Sequence, residues 1–215
     1  MSDKISNFLK TFKGTLSLAA CILVVSELAF YFYHDDTTIR ENLGFCPCIF
    51  NASKTALWGF WSKPWGILTN AFVHVSNDHL FDNILFFLFF GGIIESALGS
   101  KKFVYIAFFS ILISSILIFP IQFFYAQNDC SGTCGGIGAS LLVYALSSFF
   151  LMWFMIEFIL KRNPLPKNKA LWVVYFAALL IILVEVYLLT TNSEHLPGFV
   201  SGILIYLSAL LLHAI

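Results

Sequence analysis

The chain has 215 residues, of which 59% are hydrophobic and 11% charged. Soluble domains average roughly 45–50% apolar and about 25% charged, so a water-soluble globule is excluded and much of the surface must face lipid. Net charge is zero; the charge total gives no argument for a nucleic-acid partner, and none is expected.

Residues 1–14 carry Lys4, Lys10 and Lys13 ahead of an apolar stretch. Basic residues before an apolar run resemble a signal peptide, but the run is long enough to span and lacks a small-x-small cleavage site. It is therefore read as a retained first helix behind a short cytoplasmic segment. Six stretches are long enough to cross a bilayer: Thr15–Tyr33, His79–Leu98, Phe103–Tyr125, Ser140–Leu160, Ala170–Thr190 and His195–Ile215. Roughly 20 residues at 1.5 Å rise span the hydrocarbon core, and only helices satisfy the backbone there without closing a barrel. The expected fold is thus an all-α polytopic membrane bundle of six helices, a single domain over residues 15–215.

Charge sets the expected orientation. Lys4, Lys10, Lys13, Lys101, Lys102, Lys161, Arg162, Lys167 and Lys169 fall on one side, nine of the twelve basic residues. That side is expected to be cytoplasmic, with both termini on it. The long first outer loop, residues 34–78, contains Trp58, Phe60, Trp61 and Trp65, and aromatic residues of this kind favour the membrane interface. The loop is expected to lie in or on the outer leaflet. Its Asn51-Ala52-Ser53 sequon is read as a chance occurrence. Cys46, Cys48, Cys130 and Cys134 fall in two loops on the same outer side, where a disulfide between loops and free thiols both remain open. No second ligand pair at zinc-site spacing accompanies them, so neither a metal nor another cofactor is expected.

Polar residues inside membrane helices are costly and each needs a reason. His79 and Asn83, four apart, share a helix face and can both donate hydrogen bonds. They serve equally well as a pair tying helices together. Ser140 opens the fourth span after Gly135-Gly136-Ile137-Gly138-Ala139. A serine there can simply cap the helix, but free backbone N–H groups and the positive end of the helix dipole also suit a nucleophile beside an oxyanion site. Tyr144 lies one turn below it. On the last span His195, Gly198 and Gly202 follow helical spacing, and Gly198-x-x-x-Gly202 permits close helix packing. If the fourth span is the partner, His195 can reach Ser140. A nucleophile, a base and donors at one membrane depth form the set that acyl transfer needs.

These motifs resemble the rhomboid family of intramembrane proteases. His79-Leu-Phe-Asp-Asn83 matches its H-x-x-x-N element, Gly91-Gly92-Ile-Ile-Glu95-Ser-Ala-Leu-Gly99 its G-G-x-x-E-x-x-x-G element, and Gly138-Ala139-Ser140 the start of G-x-S-G. His195-x-x-Gly198-x-x-x-Gly202 matches H-x-x-G-x-x-x-G, and the four run in family order from Trp65 onward. Two positions depart: Leu141 stands for the second glycine of G-x-S-G, and Gly66 follows Trp65 where an arginine is common. The resemblance implies a Ser140–His195 dyad, an oxyanion site from His79, Asn83 and the Ser140 N–H, and transmembrane segments of other proteins as substrates. Gly138, Tyr144, Gly198 and Gly202 would support the site, and Glu95 would accept hydrogen bonds from the first outer loop. Water is expected to reach the site past His74, Ser76, Asn77, Asp78 and Asp82. No role is assigned to Glu157 or Glu185. The alternatives are a catalytically inactive relative that binds membrane helices, and a small transporter or channel, for which no inverted repeat is visible.

Overall fold

The computed structural model describes residues 10–44, 64–125, 138–161, 163, 167–191 and 195–212. The cysteines of the two outer loops, the sequon, Trp58, Phe60, Trp61 and the Gly135–Ile137 approach lie outside them. Every regular element among the described residues is helical. They are α1 Lys13–Tyr33, α2 Asp36–Leu43, α3 Gly66–Thr69 followed by a 3-10 turn Asn70–Phe72, α4 Asn77–Leu98, α5 Ser100–Tyr125, α6 Ser140–Phe154, α7 Lys169–Thr191 and α8 Leu196–Leu211.

Five of these, α1, α4, α5, α6 with its extension, and α7, are long and apolar enough to cross a membrane. The last expected span is a helix over the shorter range Leu196–Leu211. The fourth was expected to be uniform to Leu160; instead Met155–Leu160 is π-helical, with the Lys161 N–H donating to Ile156 O at 2.9 Å. Lys161 and Asn163 both close on Glu157 there, at 2.6 and 2.8 Å, tying down the helix end.

Local chemistry explains the boundaries. Ser76 caps α4 by accepting from the His79 N–H at 3.2 Å, with Asp78 in the first turn where the dipole favours an acid. Pro197 stands in the first turn of α8, where its missing N–H costs nothing. The core runs through the middle of the bundle, with Phe87, Phe90, Phe103, Phe149, Phe150 and Tyr206 fully buried. The flanks of the bundle instead expose Leu, Val and Phe, as a lipid-facing surface requires.

At one end of the bundle Glu95, almost fully buried, accepts from the Gly14 N–H at 2.8 Å, the Thr15 N–H at 2.7 Å and the Thr15 hydroxyl at 2.6 Å. The expectation that Glu95 serves the first outer loop is corrected. It sits at the far end of α4, where the antiparallel α1 begins, and it holds that N-terminus by its free N–H groups. Lys13, Lys101 and Lys102 gather at this same end, at the starts of α1 and α5. The outer loop is tied differently: Trp65 Nε1 donates to Asn42 O at 3.0 Å and the Thr69 hydroxyl to Leu43 O at 2.7 Å.

α8 packs most extensively against α6. A Cβ on Gly198 would fall onto Leu141 O and stand 3.0 Å from Leu141 Cα. One on Gly202 would collide with Ala145 O and the Ser148 hydroxyl. Backbone therefore meets backbone, and Leu141 is no obstacle, because α8 rests on its main chain. Because main chain cannot move aside, Gly198→Val is expected to lower stability by roughly 1–3 kcal/mol. Thermal midpoints in detergent check this, and an equally stable valine variant contradicts it.

Candidate active site

Ser140 is the first residue of α6, with Ala139 in the N-cap position. The reading of Ser140 as the helix cap thus falls away, and the residue is half-buried. Gly138 precedes it with φ +125, a conformation that a side chain strains. Its N–H donates to Asn70 O at 2.8 Å. A Cβ there would meet the His79 ring at 2.6 Å. Glycine at 138 is therefore required twice, by its backbone angle and by the imidazole lying on it.

His195 forms the N-cap of α8. Its ring lies flat over Tyr144, with centroids 4.7 Å apart and planes 16° from parallel. Tyr144 is one turn along α6 from Ser140. The stack and the Gly198–Leu141 contact together hold the imidazole near the start of α6. Asn83 is buried and its Nδ2 donates to His79 O at 2.9 Å, leaving its second amide proton for another acceptor. Ser140, Gly138, Tyr144, His195, His79, Asn83, Gly198 and Gly202 are thus brought to one end and one seam of the bundle. Glu95 is not among them.

Sequence reasoning missed a buried hydrogen-bond chain behind the turn that leads into Ser140. The Ala139 N–H donates to His74 Nε2 at 3.1 Å, His74 Nδ1 meets the Ser26 hydroxyl at 2.9 Å, and that hydroxyl donates to Phe72 O at 2.9 Å. The network fixes the tautomer: Nε2 accepts, so Nδ1 carries the proton. His74 is fully buried, so it does not line a path for water as expected; it fastens the turn before Ser140 to α1. Asn70 extends the support, its Nδ2 donating to the Ser115 hydroxyl of α5 at 3.0 Å. The available signal was Ser26, a hydroxyl inside an apolar span with no assigned partner. Of the other residues expected on the water path, Ser76, Asn77, Asp78 and Asp82 are exposed, and Ser76 also caps α4.

A serine, two histidines and an asparagine lie toward one end of a bundle of helices long and apolar enough to cross a membrane, the mark of a polytopic membrane protein. The rhomboid domain model matches residues 62–212. Similar relatives are named rhomboid protease GlpG. The one from Pectobacterium atrosepticum is 30% identical over 147 residues, covering 65% of this chain and 46% of its own length. Those from Salmonella paratyphi A and Klebsiella pneumoniae are each 28% identical over 65% and 66% of this chain. The chain spans about half the length of the curated relatives it matches. It belongs to the rhomboid family and is an integral, multi-pass membrane protein.

Burial, and secondarily the neighbouring His79, pushes the His74 pKa down to about 3. An unfolded histidine titrates near 6.5. The folded state therefore binds fewer protons between these values, and stability from this site is present above about pH 6.5 and lost as pH falls toward 3. The thermal midpoint is expected to drop across that window, and His74→Gln to flatten the drop. An unaltered pH slope in the variant counts against the neutral-imidazole relay.

Proposed function

We propose that the chain is an intramembrane serine endopeptidase acting on transmembrane segments of other membrane proteins. The observation that carries this reading is the Tyr144–His195 stack at the start of α6, beside Ser140. The family and the relatives' name point the same way.

In this reading His195 removes the Ser140 proton while the hydroxyl oxygen attacks a peptide carbonyl. The tetrahedral oxyanion is held by the Ser140 N–H, which has no partner within its helix, and by the His79 and Asn83 side chains. The imidazolium then protonates the leaving amine. Water, deprotonated by His195 in turn, releases the acyl group from Ser140. Tyr144 offers its ring face to the imidazolium, a favourable position for a developing cation. The glycine at 138 keeps the approach to Ser140 free of a side chain. The lysine-rich end, with Glu95, is taken as cytoplasmic and the Ser140 end as facing the outer leaflet. Lipid surrounds the exposed helix faces, and residues 15–215 act as one domain.

Cleavage of a model transmembrane substrate in proteoliposomes is expected from the purified protein. Ser140→Ala should reduce it by roughly 10³-fold or more and remove labelling by a fluorophosphonate probe. Cleavage that survives this substitution refutes the serine assignment. Asn83→Ala should lower kcat by about 10²–10³-fold with the thermal transition retained. Turnover equal to wild type would remove Asn83 from the oxyanion site.

A further inference from the structure

The corner where α1 and α5 begin carries charge that its own acids do not balance. Lys10 and Lys13 stand at the head of α1, and Lys101 and Lys102 at the head of α5, far away in the sequence; all four are exposed. The two heads touch. A Cβ on Gly14 would stand 3.1 Å from the Phe103 ring and 3.3 Å from the Val104 side chain. α4 closes the corner from below, because a Cβ on Gly91 would meet Thr15 at 3.1 Å and the Phe103 ring at 3.2 Å. The fold therefore brings these ammonium groups to one place.

Among the described residues the ion pair is Lys161 with Glu157, on the extension of α6, and none of the four lysines takes part in it. The acid of this corner is Glu95. It is buried, and its carboxylate is occupied by the Gly14 and Thr15 N–H groups and the Thr15 hydroxyl. Four cations thus face outward above a single buried carboxylate. Along α5 from the lysines, Val104, Tyr105 and Phe108 are turned outward, at 42, 56 and 47% exposure. Val104 and Phe108 are one turn apart on one face, so an apolar strip begins at the lysines. Tyr105 follows Lys101 by one turn and adds a ring with a polar tip, the kind of side chain that suits a membrane interface.

We propose that this corner binds the headgroup of an anionic phospholipid. Its phosphate is shared by Lys13 of α1 and Lys101 and Lys102 of α5, and an acyl chain lies along Val104 and Phe108. The charge selects the headgroup: a zwitterionic one carries its own cation and cancels the attraction, whereas an anionic one neutralises the corner. The apolar strip selects a lipid over a soluble anion, which would leave that strip unused. Such a lipid links the heads of α1 and α5 from outside, as Glu95 links α1 to α4 from inside.

The test uses the full chain in nanodiscs of phosphatidylcholine, alone or mixed with phosphatidylglycerol. The thermal midpoint is expected to be about 2–4 °C higher in the mixture. Lys101→Gln/Lys102→Gln is expected to lose most of that rise and to retain several-fold less phosphatidylglycerol in native mass spectrometry. Lys167→Gln/Lys169→Gln removes the same charge from exposed positions ahead of α7 and is expected to keep both. Equal losses in the two double variants reduce the effect to diffuse attraction and overturn the site, as does a wild-type midpoint that ignores phosphatidylglycerol. Should the first double variant not fold, Lys13→Gln takes its place under the same criteria. Sodium phosphate added to phosphatidylcholine discs is expected to leave the midpoint where it was. A rise matching that from phosphatidylglycerol makes the ligand a free anion and refutes the lipid assignment.

Discussion

Two glycines let the backbone of α8 lie on the backbone of α6, and the position of His195 over Tyr144 depends on that contact. Leu141 and Ala145 present their main chain to Gly198 and Gly202. No side chain fits between them. Lipid offers no hydrophobic push between helices, so association in a membrane draws on close packing and polar contacts. Both are present: Ser201 shares a hydrogen bond of 2.7 Å with Ser114 of α5 and donates to Gly198 O at 2.8 Å. The last helix is thereby pinned against two neighbours at the depth where its histidine begins. Separating the two helices would lift the imidazole from the Tyr144 ring.

The turn that leads into Ser140 is held from three further sides. Gly138 is tied to Asn70, Ala139 to His74, and the His79 ring lies over Gly138. The first two contacts come from the segment between α3 and α4, which is itself fastened to α1 through Ser26, and the third from the first turn of α4. A buried histidine that stays neutral can accept from a backbone N–H; a protonated one would present a donor to a donor. The low proton affinity of His74 and the rigidity of the Ser140 turn are therefore one property. At the opposite end the Glu95 carboxylate takes three hydrogen bonds from α1. Bonds to charged groups contribute about 1.5–3 kcal/mol each, so this clamp fixes α1 against α4 far from the chemistry. α7 is bound much more lightly than the other long helices, and the buried carboxyl of Glu185 lies on its thin inner seam.

Composition and spacing alone determined the lipid solvent, the helical class and the approximate ends of the spans, because backbone groups in hydrocarbon have so few alternatives. They also picked out Ser140, His79, Asn83, His195 and the two glycines, because polar or small residues in apolar helices are conspicuous. The tertiary structure decided what spacing does not encode: that α8 chooses α6, that Tyr144 stacks on His195, that Glu95 reaches α1 and not the outer loop, and that His74 is a buried acceptor and not part of a water path. It also decided that the fourth span ends in a π-helical turn and that Ser140 stands one residue inside its helix. The physical reason is the same in each case. A helical period says which residues share a face, but the partner of that face is set by the packing of the whole bundle.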